Sequence, residues 1–330
     1  MRHGVSYKGF LSGFFSGGFF SGFSGRCVGG LGAVLVLGAC SPCANGEEPG
    51  KQAFEDFISQ YQHIEALSVS CEVEETMTRT PDEGEPFDVS ASGDARFWYA
   101  GGKYKLISSV APDGERGDFL DKRMRYGFDG DAHTVYLPLL KAFERTESAP
   151  TAGAHSVPNP ALMPVLFLRS DLPMGPFRHP GQFDDPEHLM SLIESQRIRT
   201  DALGKTYHEI RLVDPRHPDD VYRVYFEDHE SGIPVVYQLD HYQGQDLRGF
   251  AFFLGYERVD AGGETPVLLP TRIVGSGFQN NEPFYESVIN VTEYSGRVED
   301  DPGFFRVSAP EGEEFVDVGE LDLPEEPADE

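Results

Sequence analysis

Residues 126–145 read YGFDGDAHTVYLPLLKAFER, and their pattern decides the fold class. Asp129-Gly130 is a strong two-residue hairpin signal, because a type I′ turn needs positive φ at both central positions. With that loop, Phe128 faces Asp131, Tyr126 faces His133 and Met124 faces Val135. Side chains alternate along a strand, so Met124, Tyr126, Phe128, Val135 and Leu137 share one side. Arg123, Arg125, Thr134 and Tyr136 share the other. An apolar side backed by a polar one predicts an antiparallel sheet with one buried face. Pro138 interrupts the ladder before a short return strand, Lys141 to Arg145.

Upstream of this hairpin, Phe54, Phe57, Ile58, Tyr61 and Ile64 fall on one stripe of a helix, while Glu55, Asp56, Gln60 and Gln62 face water. Leu67, Val69, Cys71 and Val73 then alternate with Ser68, Ser70, Glu72 and Glu74, the cleanest strand pattern in the chain. Strands follow at about 88–99 and 103–110, joined by Gly101-Gly102.

Downstream, residues 148–187 lose the pattern. They are Pro-rich, with short helices expected near Pro160 and over Glu187–Glu194. A stretch of this length reads as a loop or lid insertion. Strands return at about 196–201, 205–213, 220–227, 233–243, 247–258, 268–279 and 283–294, with a short one near 304–308. Phe250, Phe252, Leu254 and Tyr256 share one face of a long strand. Gly249, Ala251 and Gly255 on the other face suit curvature or close backbone approach. Residues 311–330 form an acidic tail expected to lack fixed structure. The fold class is therefore mainly β (α+β). Residues 51–310 form one domain, a curved, unclosed antiparallel half-barrel of roughly eleven strands with an N-terminal helix.

The first 39 residues carry Arg2, Lys8 and Arg26 and no acid, then a short apolar run from Cys27 to Ala39. That run is too short for an ordinary membrane-spanning helix, which needs about 20 apolar residues. Residues 1–39 read as a signal peptide and 40–50 as a polar tether. Leu37-Gly38-Ala39-Cys40 resembles the lipobox of bacterial lipoproteins, which makes Cys40 the lipidation site and the N-terminal lipid the membrane anchor. Cleavage after Gly46, giving a secreted protein, is the alternative. Either route puts the body in the cell envelope or outside the cell.

The chain carries a formal net charge of −28, with 55 acidic against 27 basic residues. Such a surface repels nucleic acid and anionic membranes, so a nucleic-acid partner is not expected. Of the cysteines, only Cys71 lies in the body. It reads as a small buried hydrophobe, with pairing to Cys43 in an oxidising compartment as the alternative.

Chemistry-bearing patterns are sparse. The histidines have no metal-ligand spacing, so no metal is expected. His133 and His241 sit in strand faces beside apolar neighbours and read as partly buried. There is no G-x-S-x-G elbow, and Cys71 has no basic neighbour to activate it. Glu72/Glu74 and Asp219/Asp220 read as solvated charges rather than a hydrolase dyad. No catalytic residue and no cofactor are expected. What remains is aromatic and aliphatic strand surface. It is either ordinary core or the wall of an apolar cavity.

Three further segments carry a resemblance. FEDFISQYQHIEALSVSCEVEETM runs a helix straight into a strand, VYFEDHESGIPVVYQLDHY forms a strand–Gly-Ile-Pro–strand hairpin, and FFRVSAPEGEEFVD contains a closing Phe-x-x-x-x-Pro-x-Gly. With YGFDGDAHTVYLPLLKAFER, they resemble the LolA/LolB-like exported proteins over about residues 54–317. That resemblance implies lid helices over the concave face of the half-barrel, an apolar cavity beneath them, and a lipid or acylated protein as partner. No ligand-contact residue is carried over from the family. The wall residues expected from strand position are Met124, Tyr126, Val135, Tyr237, Leu239, Phe250, Phe252 and Leu254. Two functions follow. One is a monomeric, lipid-anchored, non-catalytic protein binding a lipid or acylated ligand. The other is a structural or regulatory envelope protein of the same fold with a filled core.

Overall fold

A computed structural model describes residues 49–62, 64–81, 84–114, 120–138, 141–146, 190–200, 203–213, 218–280, 282–299, 301–308 and 316–317. Helix α1 spans Pro49–Gln62. Strands β1 (Ala66–Arg79), β2 (Phe87–Ala100), β3 (Lys103–Ser108), β4 (Ala111–Pro112), β5 (Met124–Phe128), β6 (His133–Leu137) and β7 (Ala142–Thr146) form a first meander. A second meander comprises β8 (Ile193–Thr200), β9 (Thr206–Val213), β10 (Asp220–Asp228), β11 (Pro234–Gln243), β12 (Asp246–Val259), β13 (Val267–Gln279) and β14 (Glu282–Ser295). Helix α2 (Pro302–Phe305) and β15 (Val316–Asp317) follow.

The strands make one curved sheet in the order β15-β7-β6-β5-β3-β2-β1-β14-β13-β12-β11-β10-β9-β8, with β4 beside β2. The two meanders meet where β1 pairs antiparallel with β14. The end strands, β15 and β8, are not paired with each other, so the half-barrel is unclosed. The fifteen strands exceed the roughly eleven expected. Two of them, β4 and β15, are only two residues long, too short to leave a periodicity in sequence. Val316–Asp317 falls within the tail and pairs parallel with Ala142–Phe143.

Curvature has local causes. Register shifts at Ser70/Cys71, Tyr225/Phe226, His241/Tyr242 and Gly277/Phe278 each insert a bulge, which bends and twists its strand.

One face of this sheet carries a single apolar cluster. It runs through Leu67, Val69 and Val73 on β1, Phe97 and Leu106 on β2 and β3, Met124, Tyr126 and Val135 on β5 and β6, Ile210, Val224 and Phe226 on β9 and β10, and Phe253, Ile273 and Ile289 on β12 to β14. This is the inner face. Helix α1 lays Phe54 and Phe57 on it, both meeting the ring of Phe226 edge-on at centroid distances of 5.9 and 5.2 Å. Its contacts are with β8 to β11.

The hairpin differs in register from the two-residue loop. Phe128 pairs with His133 and Tyr126 with Val135, so the loop is Asp129–Ala132. The Asp129 side chain accepts hydrogen bonds from the N–H groups of Asp131 (3.0 Å) and Ala132 (2.9 Å), an Asx turn that lengthens the connection. The slip is two residues, so every side chain keeps its face.

The segment expected as a strand near 304–308 instead begins with α2. Asp301 caps it by accepting from the Gly303 N–H at 2.9 Å, and Pro302 sits in its first turn. This segment crosses the outer face of the first meander. Phe304 meets Trp98 edge-on at 5.7 Å, its carbonyl accepts from Lys105 Nζ at 2.8 Å, and Val307 N–H donates to Thr134 Oγ1 at 3.1 Å. Gly127 is what lets it lie flat, since a Cβ there would sit 2.1 Å from the Phe305 carbonyl oxygen. Gly127→Ala is expected to destabilise the protein by about 1–3 kcal/mol, the usual cost of overpacking. Denaturant unfolding would read the loss. Faster amide exchange confined to 301–308 would locate it, and an unchanged midpoint would show the contact is absent in solution.

Arg306 locks the same segment to the hairpin, its Nε 2.8 Å and its terminal nitrogen 2.7 Å from Asp129 Oδ2. Burial works to raise the Asp129 pKa. The hydrogen bonds from Ala132, Arg306 and Asp131, with the Arg306 charge, outweigh it and hold the carboxyl at about 2. A depressed folded pKa contributes stability above the unfolded value of about 3.9, and that stability is lost as pH falls toward 2. Asp129→Asn is therefore expected to lower stability at pH 7 and to flatten the acid limb between about pH 4 and 2. Parallel curves for the two proteins over that interval would refute this.

Candidate functional site: the inner face of the half-barrel

The eight wall residues expected from sequence divide between the two faces. Met124, Tyr126 and Val135 are buried on the inner face, at 1 %, 1 % and 0 % exposure. Leu239 is partly buried against the same cluster. Phe250, Phe252 and Leu254 alternate with the core residues Ala251 and Phe253, so they lie on the outer face of β12. Tyr237 joins them there. It lies 5.5 Å from Phe252 and stacks on Tyr207 at 5.2 Å, under Lys205 at 5.1 Å. Phe250 continues the row to Phe278 at 5.6 Å. On β12 Phe250 and Phe252 go outward, while Ala251 and Phe253 go inward.

The inner face is apolar with two polar interruptions. In the first meander, Tyr104, Tyr126 and His133 form a triangle. The two hydroxyl oxygens lie 3.0 Å apart, and His133 Nδ1 is 3.0 Å from Tyr126 and 3.3 Å from Tyr104. Phe128 stacks on the imidazole at 4.5 Å, and burial lowers the His133 pKa. His133 is therefore half-buried and hydrogen-bonded. In the second meander His241 stacks on Tyr222 at 4.6 Å.

The second interruption is charged. Glu75 lies on β1 between the core residues Val73 and Met77, and its side chain is 0 % exposed. Its Oε1 accepts from Lys122 Nζ and from Tyr285 Oη, both at 2.6 Å. Burial pushes the Tyr285 pKa well above its ordinary value, and the adjacent Glu75 charge adds to this, so the phenol stays protonated and donates. Lys122 arrives from the loop before β5, whose backbone is tied by its own N–H to the Val110 carbonyl at 3.0 Å. Sequence reading passed over this group. Carrying the alternation of Leu67 to Val73 one step further would have placed Glu75 on the buried face, a carboxylate among apolar neighbours.

Beside Glu75 the inner face narrows to small residues. Ser287, Gly275 and Ala251 stand in register with it across β14, β13 and β12, and Gly277 and Gly249 occupy the next row. A Cβ on Gly249 would meet only backbone of β13 among the described residues, Ser276 O at 3.1 Å and Gly277 Cα at 3.9 Å. No described side-chain atom lies within 4 Å of that point.

Cys71 is free, buried and beside the Ala95 carbonyl, and burial pushes its thiol up to about 12, which leaves no thiolate for chemistry. Among the described residues no three His, Cys, Asp or Glu side chains gather to hold a metal ion. No helix among them is long and apolar enough to cross a membrane. Residues 1–48, with the signal and Cys40, and the 148–187 insertion lie outside the described residues, whereas Pro49 and Gly50 of the expected tether begin α1.

The sequence matches no family model and no curated protein. Solved structures do resemble the fold. A LolA superfamily protein from Nitrosomonas europaea shares 11 % identity at a TM-score of 0.40, covering 78 % of this chain and 97 % of its own. A domain named for outer membrane lipoprotein sorting, from Vibrio parahaemolyticus, shares 13 % at 0.41, covering 78 % and 97 %. A DUF1329 family protein from Desulfovibrio piger shares 10 % at 0.44, covering 78 % and 98 %.

Proposed function

We propose that this is an exported, lipid-anchored envelope protein that binds a lipid or acylated ligand on the inner face of its half-barrel, without catalysing a reaction. The observation that carries this reading is the shape of the inner face. It is a largely apolar surface on an unclosed sheet, and the described helix packs on it chiefly at β8 to β11. Open apolar concavities with a few placed polar groups are what amphiphilic ligands occupy. The signal-like residues 1–39 and the lipobox-like Cys40 support export and anchoring.

Native mass spectrometry of protein purified from membranes, with uptake of a fluorescent fatty acid, tests the reading. Bound amphiphile or saturable uptake is expected. A clean apo mass together with no uptake would sink it and favour the alternative, a structural envelope protein with a filled core. The complete burial of residues such as Val73, Val135 and Ile210 speaks for that alternative. Cys40→Ala is expected to shift the protein from the membrane to the soluble fraction, and unchanged fractionation would rule out the anchor.

A further inference from the structure

The Glu75 cluster is left unfinished by the protein itself. Glu75 Oε2 is buried and has no hydrogen-bond partner, although Oε1 has two. A carboxylate taken out of water is costly unless both oxygens are satisfied. Lys122 shows the complementary deficit. Its ammonium has three donors, and among the described residues its one hydrogen-bond acceptor is Glu75 Oε1. Its side chain is 18 % exposed, so it is the member of the cluster that reaches toward solvent on a flexible stem. An acceptor and a donor thus stand side by side, at the head of the lane of small residues formed by Ser287, Gly275, Ala251 and Gly249.

We propose that Glu75 and Lys122 hold the head group of an amphiphile that carries an N–H donor close to an oxygen acceptor. The N–H is given to Glu75 Oε2, and the phosphate or carbonyl oxygen accepts from Lys122 Nζ. The chain then lies along the small residues of β14 to β12 toward Leu239. Tyr285, a donor to Oε1 at 2.6 Å, occupies that oxygen and leaves Oε2 for the ligand. The assignment rests on the ligand-binding reading above and names its ligand class. Aminophospholipids and N-acylated peptides both present such a head. A quaternary ammonium head does not, because it has no N–H.

The test is displacement of a bound fluorescent fatty acid from the full-length protein. Dodecylphosphoethanolamine and dodecylphosphocholine differ only in the three N-methyl groups that remove the donors. The first is expected to displace the probe about tenfold more effectively, the usual scale for one charge-assisted hydrogen bond. In Glu75→Met/Lys122→Met the preference is expected to vanish, read as the ratio of the two displacement constants at the variant's own affinity for the probe. That pair of changes removes both charges together, which protein interiors tolerate far better than removal of one. Equal displacement in the wild type, or a preference that survives in the double variant, overturns the head-group assignment and leaves chain binding intact. Failure of the wild type to bind any probe overturns the ligand-binding reading and the assignment with it. N-dodecanoylglycinamide separates the two sources. Displacement better than the phosphoethanolamine marks an acylated peptide, worse marks an aminophospholipid, and both orders support the site.

Discussion

Phe226→Ala is expected to destabilise the protein by about 3–5 kcal/mol, the range for removing a fully buried phenylalanine. The ring is 0 % exposed and lies opposite a bulge at Tyr237 of β11, on the same face as Val224. Both helix aromatics, Phe54 and Phe57, rest on it edge-on. Nothing intrinsic to α1 replaces that contact. The helix is 14 residues long, with no acid in its first turn and no base in its last to complement its dipole. Isolated helices of about 12–15 residues are marginal in water, so this one exists because it is docked. The loss should therefore be larger than the cavity alone implies, and local. Amide exchange across 49–62 should rise toward that of a free peptide, while β1 and β14 stay protected. A variant that unfolds as one unit, with α1 no faster than the sheet, would show that the helix has other anchors. Phe226→Leu should cost less than half as much, because the leucine still fills most of the space between the two rings.

The helix and the faces of the first meander were legible because their apolar residues sit on one side only. The stripe of Phe54 and Phe57 and the alternation of Leu67, Val69, Cys71 and Val73 each admit one arrangement. Register was less legible, since a side-chain hydrogen bond from Asp129 competes with the backbone turn and no pattern of hydrophobicity reports it. A two-residue slip costs no burial, so the face assignment survived it. β12 could not be oriented at all from its own sequence. Both of its faces are apolar, with Phe250, Phe252 and Leu254 on one and Ala251 and Phe253 on the other. The concave side was settled by what lies across from it, Leu239 and Gly275. The β7–β8 connection is a different case. It joins opposite ends of the strand order, which a linear reading of adjacent hairpins does not reveal.

The charged cluster was illegible for a further reason. Lys122 and Tyr285 stand 47 and 210 positions from Glu75 in sequence. Only closure of β1 onto β14 brings Tyr285 to it, and only the loop ahead of β5 brings Lys122. Single-sequence patterns can flag the buried carboxylate but not its partners.

That cluster gives the second large effect. Lys122→Met is expected to destabilise the protein by about 3–5 kcal/mol, the cost of leaving one charge of a buried pair without its partner. Glu75 would keep a single donor, Tyr285, for two buried oxygens. Glu75→Met/Lys122→Met is expected to lie within about 1 kcal/mol of the wild type, or above it, because an apolar pair pays no desolvation. The difference between the double variant and the sum of the singles measures the coupling, which should be well above the few tenths seen for independent sites. Near-zero cost for Lys122→Met would mean that water reaches Glu75 freely and that the pair is a surface contact. The direction of the double variant carries more than its size. Hydrophobic replacement that leaves the fold equally stable shows that Glu75 and Lys122 are not needed to hold β1 against β14. A pair of charges kept in an apolar concavity, and dispensable for folding, then supports the head-group role proposed for it.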